Sequence, residues 1–365
     1  MAEMKASVLK ASVLKAWAVV ENGAPLREIV LPLPEPRGTE VLLEVTHCGV
    51  CHSDLHIWEG YYDLGGGERL SLAERGVKLP LAMGHEIVGR IRAAGPDAGV
   101  VPLGARRIVY PWVGCGVCAR CRAEEDNMCA TPASIGVFRH GGYASHVLVP
   151  HPRHLIDPLD LDPALAATFA CAGITVYSAI AKVLPRPAEE PIVLVGAGGL
   201  GISAIGILRA LGHRAIVVAD LAAEKREAAL AAGATAVVAA GEGMAARLVA
   251  ACGGPARAVI DFVNSSATAA AGYEALAKGG ILVLVGLFGG GLTLKLPLVA
   301  MRALTVRGSY VGSPADLAAL VRLAAEGRFA GPPLTRLPMA QAGAALMRLR
   351  DGAVTGRQVL VATDA

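Results

Sequence analysis

The sequence predicts an α/β protein in two parts, a doubly wound parallel sheet in the middle of the chain and a mainly β domain around it. Three observations predict this. At 365 residues the chain exceeds the size at which one hydrophobic core stops growing. Its first part reads as short strands with frequent Gly and Pro turns, whereas its middle alternates apolar strands with helices. A composition of 54% hydrophobic and 18% charged residues excludes disorder, and aromatics at 4% leave small aliphatics to build the core.

In the first part, Val41-Leu-Leu-Glu-Val45 and the segment from Gly142 to Val149 are strand candidates. The middle offers strand-like runs at Ile192–Val195, Ala215–Ala219, Ala234–Val238, Ala258–Asp261, Ile281–Val285 and Leu304–Arg307. Helical stretches such as Leu200–Leu211, Glu224–Ala232 and Ala267–Lys278 lie between them. Near-continuous Val/Ile/Leu strands separated by helices are what a parallel sheet covered on both faces requires. In the tail, Ser313-Pro-Ala-Asp316 supplies an N-cap serine, a proline at the first helical position and an acid at the third, so a helix should run to about Gly327. A second helix from about Met339 to Arg350 and a strand from Gln358 to Val361 should return the tail to the first domain. The boundaries expected are 1–172 with 310–365 for the mainly β domain and 173–309 for the parallel sheet.

The net charge of +3, from 34 basic and 31 acidic residues, is too mild to argue for nucleic acid or a membrane surface. No uninterrupted apolar run reaches the roughly 18 to 20 residues that span a bilayer. The N-terminus has lysines but no apolar core with a cleavage site, so a cytoplasmic protein is expected. A tandem repeat, Ala6-Ser-Val-Leu-Lys10 and Ala11-Ser-Val-Leu-Lys15, reads as a duplicated start rather than a functional element.

Eight cysteines are unevenly spread, with four between Cys115 and Cys129. In a chain of this kind such clustering argues for metal rather than disulfides. Cys115, Cys118, Cys121 and Cys129 can close a tetrahedral thiolate shell around Zn2+ with no position left for water, a structural site. A second group is dispersed: Cys51-His52-Ser53-Asp54-Leu55-His56, then Gly84-His85-Glu86, then Cys171. Two thiolates and one imidazole would leave the fourth position of zinc open, the catalytic arrangement. Taken singly, each of these is more often a core residue, and the case rests on their co-occurrence. Third, Val193-Leu-Val195-Gly196-Ala-Gly198-Gly199-Leu200-Gly201 follows an apolar strand, opens a helix, and is followed by Asp220. Its glycines permit a tight turn and close approach to a pyrophosphate, which the helix N-terminus favours. A carboxylate at 220 would take the ribose hydroxyls and repel a 2′-phosphate, and Leu221-Ala-Ala rather than arginine comes next, so NAD is expected over NADP.

In this order the Gly49-to-His56 segment, the Gly84-His-Glu86-Ile-Val-Gly89 box, the cysteine loop and Cys171-Ala-Gly-Ile-Thr175 resemble the zinc-dependent alcohol dehydrogenases of the medium-chain dehydrogenase/reductase superfamily, from about Ala16 onward and most like the yeast and bacterial branch. The resemblance implies a Rossmann domain plus a GroES-like catalytic domain, two zinc ions per chain, NAD, and a homodimer or homotetramer. It implies Cys51, His85 and Cys171 as catalytic zinc ligands, Glu86 beside the metal, and Asp54 holding His85 in its tautomer. Cys48 invites a CxxC reading, but the family pattern puts the ligand at 51. Lys225 should reach the adenosine ribose, and His52 and Arg357 the pyrophosphate. Thr175, Val285 and Leu287 should frame the nicotinamide. Ser53 and His56 resemble the family's proton relay to solvent.

Trp58, Tyr62, Tyr110 and Trp112 are pocket aromatics by position, with core packing as the alternative. Between Tyr61 and Pro80 the chain departs from the yeast-like pattern by an insertion just before His85, so the alcohol is left open among primary, secondary and aryl types. The small-molecule partner is thus an alcohol, aldehyde or ketone. Polyol, threonine or formaldehyde oxidation is the alternative within the superfamily, and a non-catalytic zinc- and nucleotide-binding protein the alternative outside it.

Overall fold

The computed structural model describes residues 13–329 and 331–362, so the first copy of the N-terminal repeat lies outside the described residues. Two compact units result. One comprises residues 1–60, 73–171 and 334–365, the other residues 61–72 and 172–333. The expected boundary at 309/310 therefore moves to 333/334. The reason is the helix Pro314–Ala325, whose buried stripe of Leu317, Leu320, Val321 and Ala324 packs on the helix Ile174–Ala181. Ser313 caps it as the sequence predicts, accepting from the Asp316 amide while Asp316 accepts from the Ser313 amide.

The second unit holds a six-stranded parallel sheet in the order 236–239, 216–220, 192–195, 256–261, 276–284, 305–308. Chain order reverses between Ile192–Val195 and Ala256–Asp261, and ligands of doubly wound sheets bind at the carboxyl ends of strands beside such a switch. The expected helix Ala267–Lys278 is shorter, Ser266–Glu274, and Leu276–Leu284 is strand. Leu276 already pairs with Ala256, and the following register shift accommodates the Gly279 turn at φ +75°. A helix the sequence analysis did not single out, Met244–Ala251, covers this sheet with Met244 and Leu248. The inserted segment forms a hairpin, Tyr61–Gly65 with Glu68–Ser71.

The first unit is built on antiparallel strands, with Val41–Gly49 flanked by Glu86–Ala94 and, on its other edge, Arg357–Val361. The tail strand pairs with the end of Val41–Gly49, which places Arg357 just past Gly49, the residue that faces Glu86. The helical run Pro163–Ala181 is long and apolar enough to span a bilayer by length and composition, a departure from the sequence reading, but 89% of it is buried inside the protein. That is the profile of a core helix.

Candidate functional site

The cysteine loop comes first because its ligands are local. Cys118 caps the short helix Ala119–Arg122 and accepts from the Cys121 amide, while Cys129 accepts from the amides of Cys115 and Thr131. The sulfurs lie 3.5 Å apart for Cys118–Cys121, 3.8 Å for Cys118–Cys129 and 4.0 Å for Cys115–Cys121. A tetrahedron of sulfurs about 2.3 Å from zinc has edges of about 3.8 Å, whereas a disulfide needs about 2.05 Å. The spacing fits the metal. Amides of Val117 and Cys118 hold the Cys115 thiol down to about 6, while burial pushes Cys121 up to about 12. Three residues that the sequence reading missed pin this loop: the buried Asp126 carboxylate lies 2.6 Å from Arg153 and 3.4 Å from His154 Nε2, and Arg153 donates to the Cys121 carbonyl.

The second ligand set needs the whole unit. Cys51 is the N-cap of the helix His52–Glu59, and Asp54, three residues on, accepts from the Cys51 amide at 2.9 Å. A capping box with a cysteine cap therefore ties ligand and carboxylate into one turn, which is why the two are three residues apart. Gly84 turns the chain into His85 at φ +87°. Cys171 sits on a π-helical turn, Phe169–Gly173, a local widening common at functional sites. Together these bring one ligand atom each from Cys51, His85 and Cys171 within 4.8 Å of one another, with the two sulfurs 3.9 Å apart.

His85 and Asp54 are fully buried. Nδ1 of His85 lies 3.1 Å from Asp54 Oδ1, within ion-pair distance but too bent for a linear hydrogen bond, and Nε2 has no hydrogen-bond partner among the described residues. An orphaned buried nitrogen facing two sulfurs is what a metal ligand looks like. Burial opposes charge on His85, yet Asp54 and Cys51 outweigh it and hold its pKa well above the usual range. The neighbouring Cys171 thiol holds Cys51 well below the ordinary cysteine range against burial, and Cys171 is pushed up in turn. The site concentrates negative charge where water does not reach, and a divalent cation fits it. Cys48, by contrast, is buried, and burial holds its thiol protonated, so it is a neighbour.

Around the ligands, Glu86 is buried and pairs with Arg357. Arg357, expected at the pyrophosphate, is itself 7% exposed, and its described partner is this carboxylate. Trp112 stands edge-on to His85 at 5.4 Å and is anchored by its indole N–H on the Ala170 carbonyl. Tyr110 takes the packing alternative, fully buried and stacked on His154. Trp58 is held by the Ala24 carbonyl, with Arg350 over its ring. Ser53 and His56 lie on the capped helix with His52, which is exposed. Burial lowers the His56 pKa, so its imidazole is neutral at neutral pH. Sequence reasoning missed Tyr143, whose buried hydroxyl donates to Asp54 Oδ2 at 3.0 Å. Its only signal was a tyrosine in a Gly-Gly-Tyr strand start.

The second unit carries the glycine loop. Gly196 adopts φ +97°, and a Cβ at Gly201 would lie 2.0 Å from the Gly196 carbonyl, so the turn requires glycine at both. At Gly198 a Cβ would meet nothing, and this residue caps the helix Gly199–Ala210, Leu200 included, without a side-chain hydrogen bond. Free amides at an open helix start suit a pyrophosphate. Asp220 ends the strand Ile216–Asp220 and accepts from the Ala197 amide at 2.7 Å, which orients it over this loop. Lys225 is exposed in the first turn of Ala223–Ala231, and Arg226 bonds the Asp220 and Leu221 carbonyls. Thr175 and Val285 are buried and Leu287 is 47% exposed. Tyr62 lies on the hairpin of this unit.

Comparison with known proteins agrees with this chemistry. Residues 37–158 match the alcohol dehydrogenase GroES-like domain, and residues 199–326 match the zinc-binding dehydrogenase family. The NAD-dependent alcohol dehydrogenases of Sulfurisphaera tokodaii and Saccharolobus solfataricus are each 36% identical over 95% of this chain and 100% of their own length. D-arabinose 1-dehydrogenase (NADP(+)) of Saccharolobus solfataricus is 33% identical over 96% of this chain and 97% of its own length. Among solved structures, the alcohol dehydrogenase of Aeropyrum pernix superposes with a TM-score of 0.85 at 30% identity, covering 95% of this chain and 99% of that one. The chain belongs to the zinc-dependent alcohol dehydrogenases of the medium-chain dehydrogenase/reductase superfamily.

Proposed function

We propose that the protein transfers a hydride between a small alcohol and NAD, with Cys51, His85 and Cys171 holding the catalytic zinc and Cys115, Cys118, Cys121 and Cys129 a structural one. The observation that carries the reading is the buried Cys51–His85–Cys171 triangle with its unpartnered His85 Nε2. Zinc in a three-ligand site supplies Lewis-acid polarisation of the substrate oxygen, and NAD supplies the hydride acceptor. The residues of the chain do the rest. Asp54 fixes the His85 ring through Nδ1 and so aims Nε2. Glu86 and Arg357 neutralise one another beside it, and Trp112 keeps water from the imidazole. Ser53 Oγ and the neutral His56 imidazole carry the substrate proton toward solvent. The Gly196–Gly201 turn and the first amides of its helix bind the pyrophosphate, Asp220 the ribose, and Lys225 flanks them. Thr175, Val285 and Leu287 frame the nicotinamide.

The chain is expected to work as a homo-oligomer. Its outer strand Thr305–Gly308 has one neighbour in the sheet, and the adjoining helix Leu296–Met301 buries none of its residues, with Leu296 at 74% and Met301 at 64% exposure. A panel of primary, secondary, aryl and polyol substrates, assayed with NAD and NADP on protein of measured zinc content and mass in solution, tests the reading. Zinc-dependent NADH formation with a simple alcohol supports it. Turnover confined to sugars or polyols replaces the substrate class, and no turnover with any of them overturns it.

A further inference from the structure

Asp54 receives four contacts. The Cys51 amide donates to Oδ2 at 2.9 Å, the Gly84 amide to Oδ1 at 3.2 Å, the Tyr143 hydroxyl to Oδ2 at 3.0 Å, and His85 Nδ1 stands 3.1 Å from Oδ1. Two of the donors are the backbone of a ligand and of the residue before a ligand, so they persist with any side chains. The third is a side chain, and it is free to vary.

Tyr143 is held unusually well for that task. Its backbone pairs with the segment that leads into His85, its amide on the Met83 carbonyl at 2.9 Å, and the neighbouring Gly142 amide bonds the Gly84 carbonyl at 2.7 Å. Its ring lies against Gly84, where a Cβ would come within 2.5 Å of Tyr143 Cδ1 and 2.7 Å of Cys48 Sγ. The ring therefore occupies the space a side chain at 84 would need, and its hydroxyl donates to Asp54 Oδ2. Tyr143 is fully buried, and burial followed by the Asp54 charge pushes the phenol far above its ordinary range, so it remains a donor.

We infer that Tyr143 is a positioning residue of the open metal site, acting through Asp54: its hydroxyl fixes the carboxylate that fixes His85, and so sets how tightly the site holds its metal. This rests on the assignment of Cys51, His85 and Cys171 as zinc ligands. Outer-shell partners of metal-binding histidines typically govern metal affinity by about 10- to 100-fold.

The test is zinc release from the holoenzyme to a coloured chelator, 4-(2-pyridylazo)resorcinol, followed in time. Cys171→Ser identifies the phase that belongs to the open site, because that phase should be missing from it. In Tyr143→Phe, which keeps the ring, that phase should quicken by about 10-fold or more. The cysteine-loop phase should not move. The same substitution in an Asp54→Asn background should add little, since the carboxylate it serves is gone. Open-site release at the wild-type rate in Tyr143→Phe overturns the inference, as does an equal acceleration with and without Asp54, which would mean packing alone. A wild-type enzyme showing only the cysteine-loop phase would instead overturn the ligand assignment.

Discussion

The first unit holds two cysteine-rich sites built on opposite plans, and the contrast explains what each can do. In the loop site, the four proposed ligands come from a stretch between 115 and 129, and Cys115 is exposed. Backbone amides and the side chains of Asp126, Arg153 and His154 hold it, and a four-thiolate shell would leave no position for a substrate. In the other, the three proposed ligands come from positions 51, 85 and 171, all buried, and the groups around them are side chains: Asp54, Tyr143, Glu86 and Arg357. A closed, local site stabilises the chain that forms it. An open site assembled from distant segments is bought by the fold and can therefore be spent on chemistry.

Substitutions should separate the two sites, and the largest effect is expected at the open one. Cys171→Ser should lower kcat by roughly 10³-fold or more, since Lewis-acid stabilisation is worth several kcal/mol. It should also remove one zinc per chain while leaving Tm close to wild type. Cys118→Ser should do the reverse, costing stability first because a structural zinc contributes directly to folding free energy. A Cys118→Ser enzyme with wild-type Tm and no activity would break the contrast.

Smaller effects sharpen it. His56→Gln should slow alcohol oxidation by up to about 10²-fold at low pH and little at high pH, where hydroxide takes the proton unaided. A deficit equal at every pH would make His56 structural. Asp220→Ala should raise the NADP/NAD ratio of kcat/KM by roughly tenfold, because a charged contact is worth about 1.5–3 kcal/mol and Arg226 stays beside the vacated carboxylate. An unmoved ratio would take Asp220 out of the ribose site.

The smallest effect concerns acid stability away from both sites. Burial lowers the His47 pKa from 6.5 to about 4, against the pull of Asp162 and with the arginines 106, 336 and 90 in support. The unfolded chain then binds a proton that the folded one refuses, so stability is full above about 6.5 and declines as pH falls toward 4. Denaturant melts of His47→Gln should show a shallower decline than wild type over that window, and an identical one would place the acid sensitivity elsewhere.

The loop site was legible because its ligands share one turn-sized stretch, so spacing alone carries the tetrahedron. The open site was legible only through resemblance: no spacing connects 51, 85 and 171, and the π-helical turn that aims Cys171 leaves no compositional mark. The parallel sheet could be read from its Val/Ile runs, and its order follows from the switch between Ile192–Val195 and Ala256–Asp261. What escaped was tertiary. Tyr143 looks like any strand tyrosine until its hydroxyl meets Asp54, and Arg357 like a surface cation until the tail strand carries it to Glu86. The helix Pro314–Ala325 was assigned to the wrong unit because its apolar stripe does not say which core it joins.

The division of labour between the two sites is tested most directly by stepwise metal removal from the wild-type enzyme, with zinc content, Tm and NAD-linked alcohol oxidation measured on the same samples. Loss of zinc from the open site should abolish oxidation while Tm stays near its starting value, and loss from the cysteine loop should lower Tm. Full activity after the open site has been emptied, or a Tm indifferent to the loop's metal, would contradict the account.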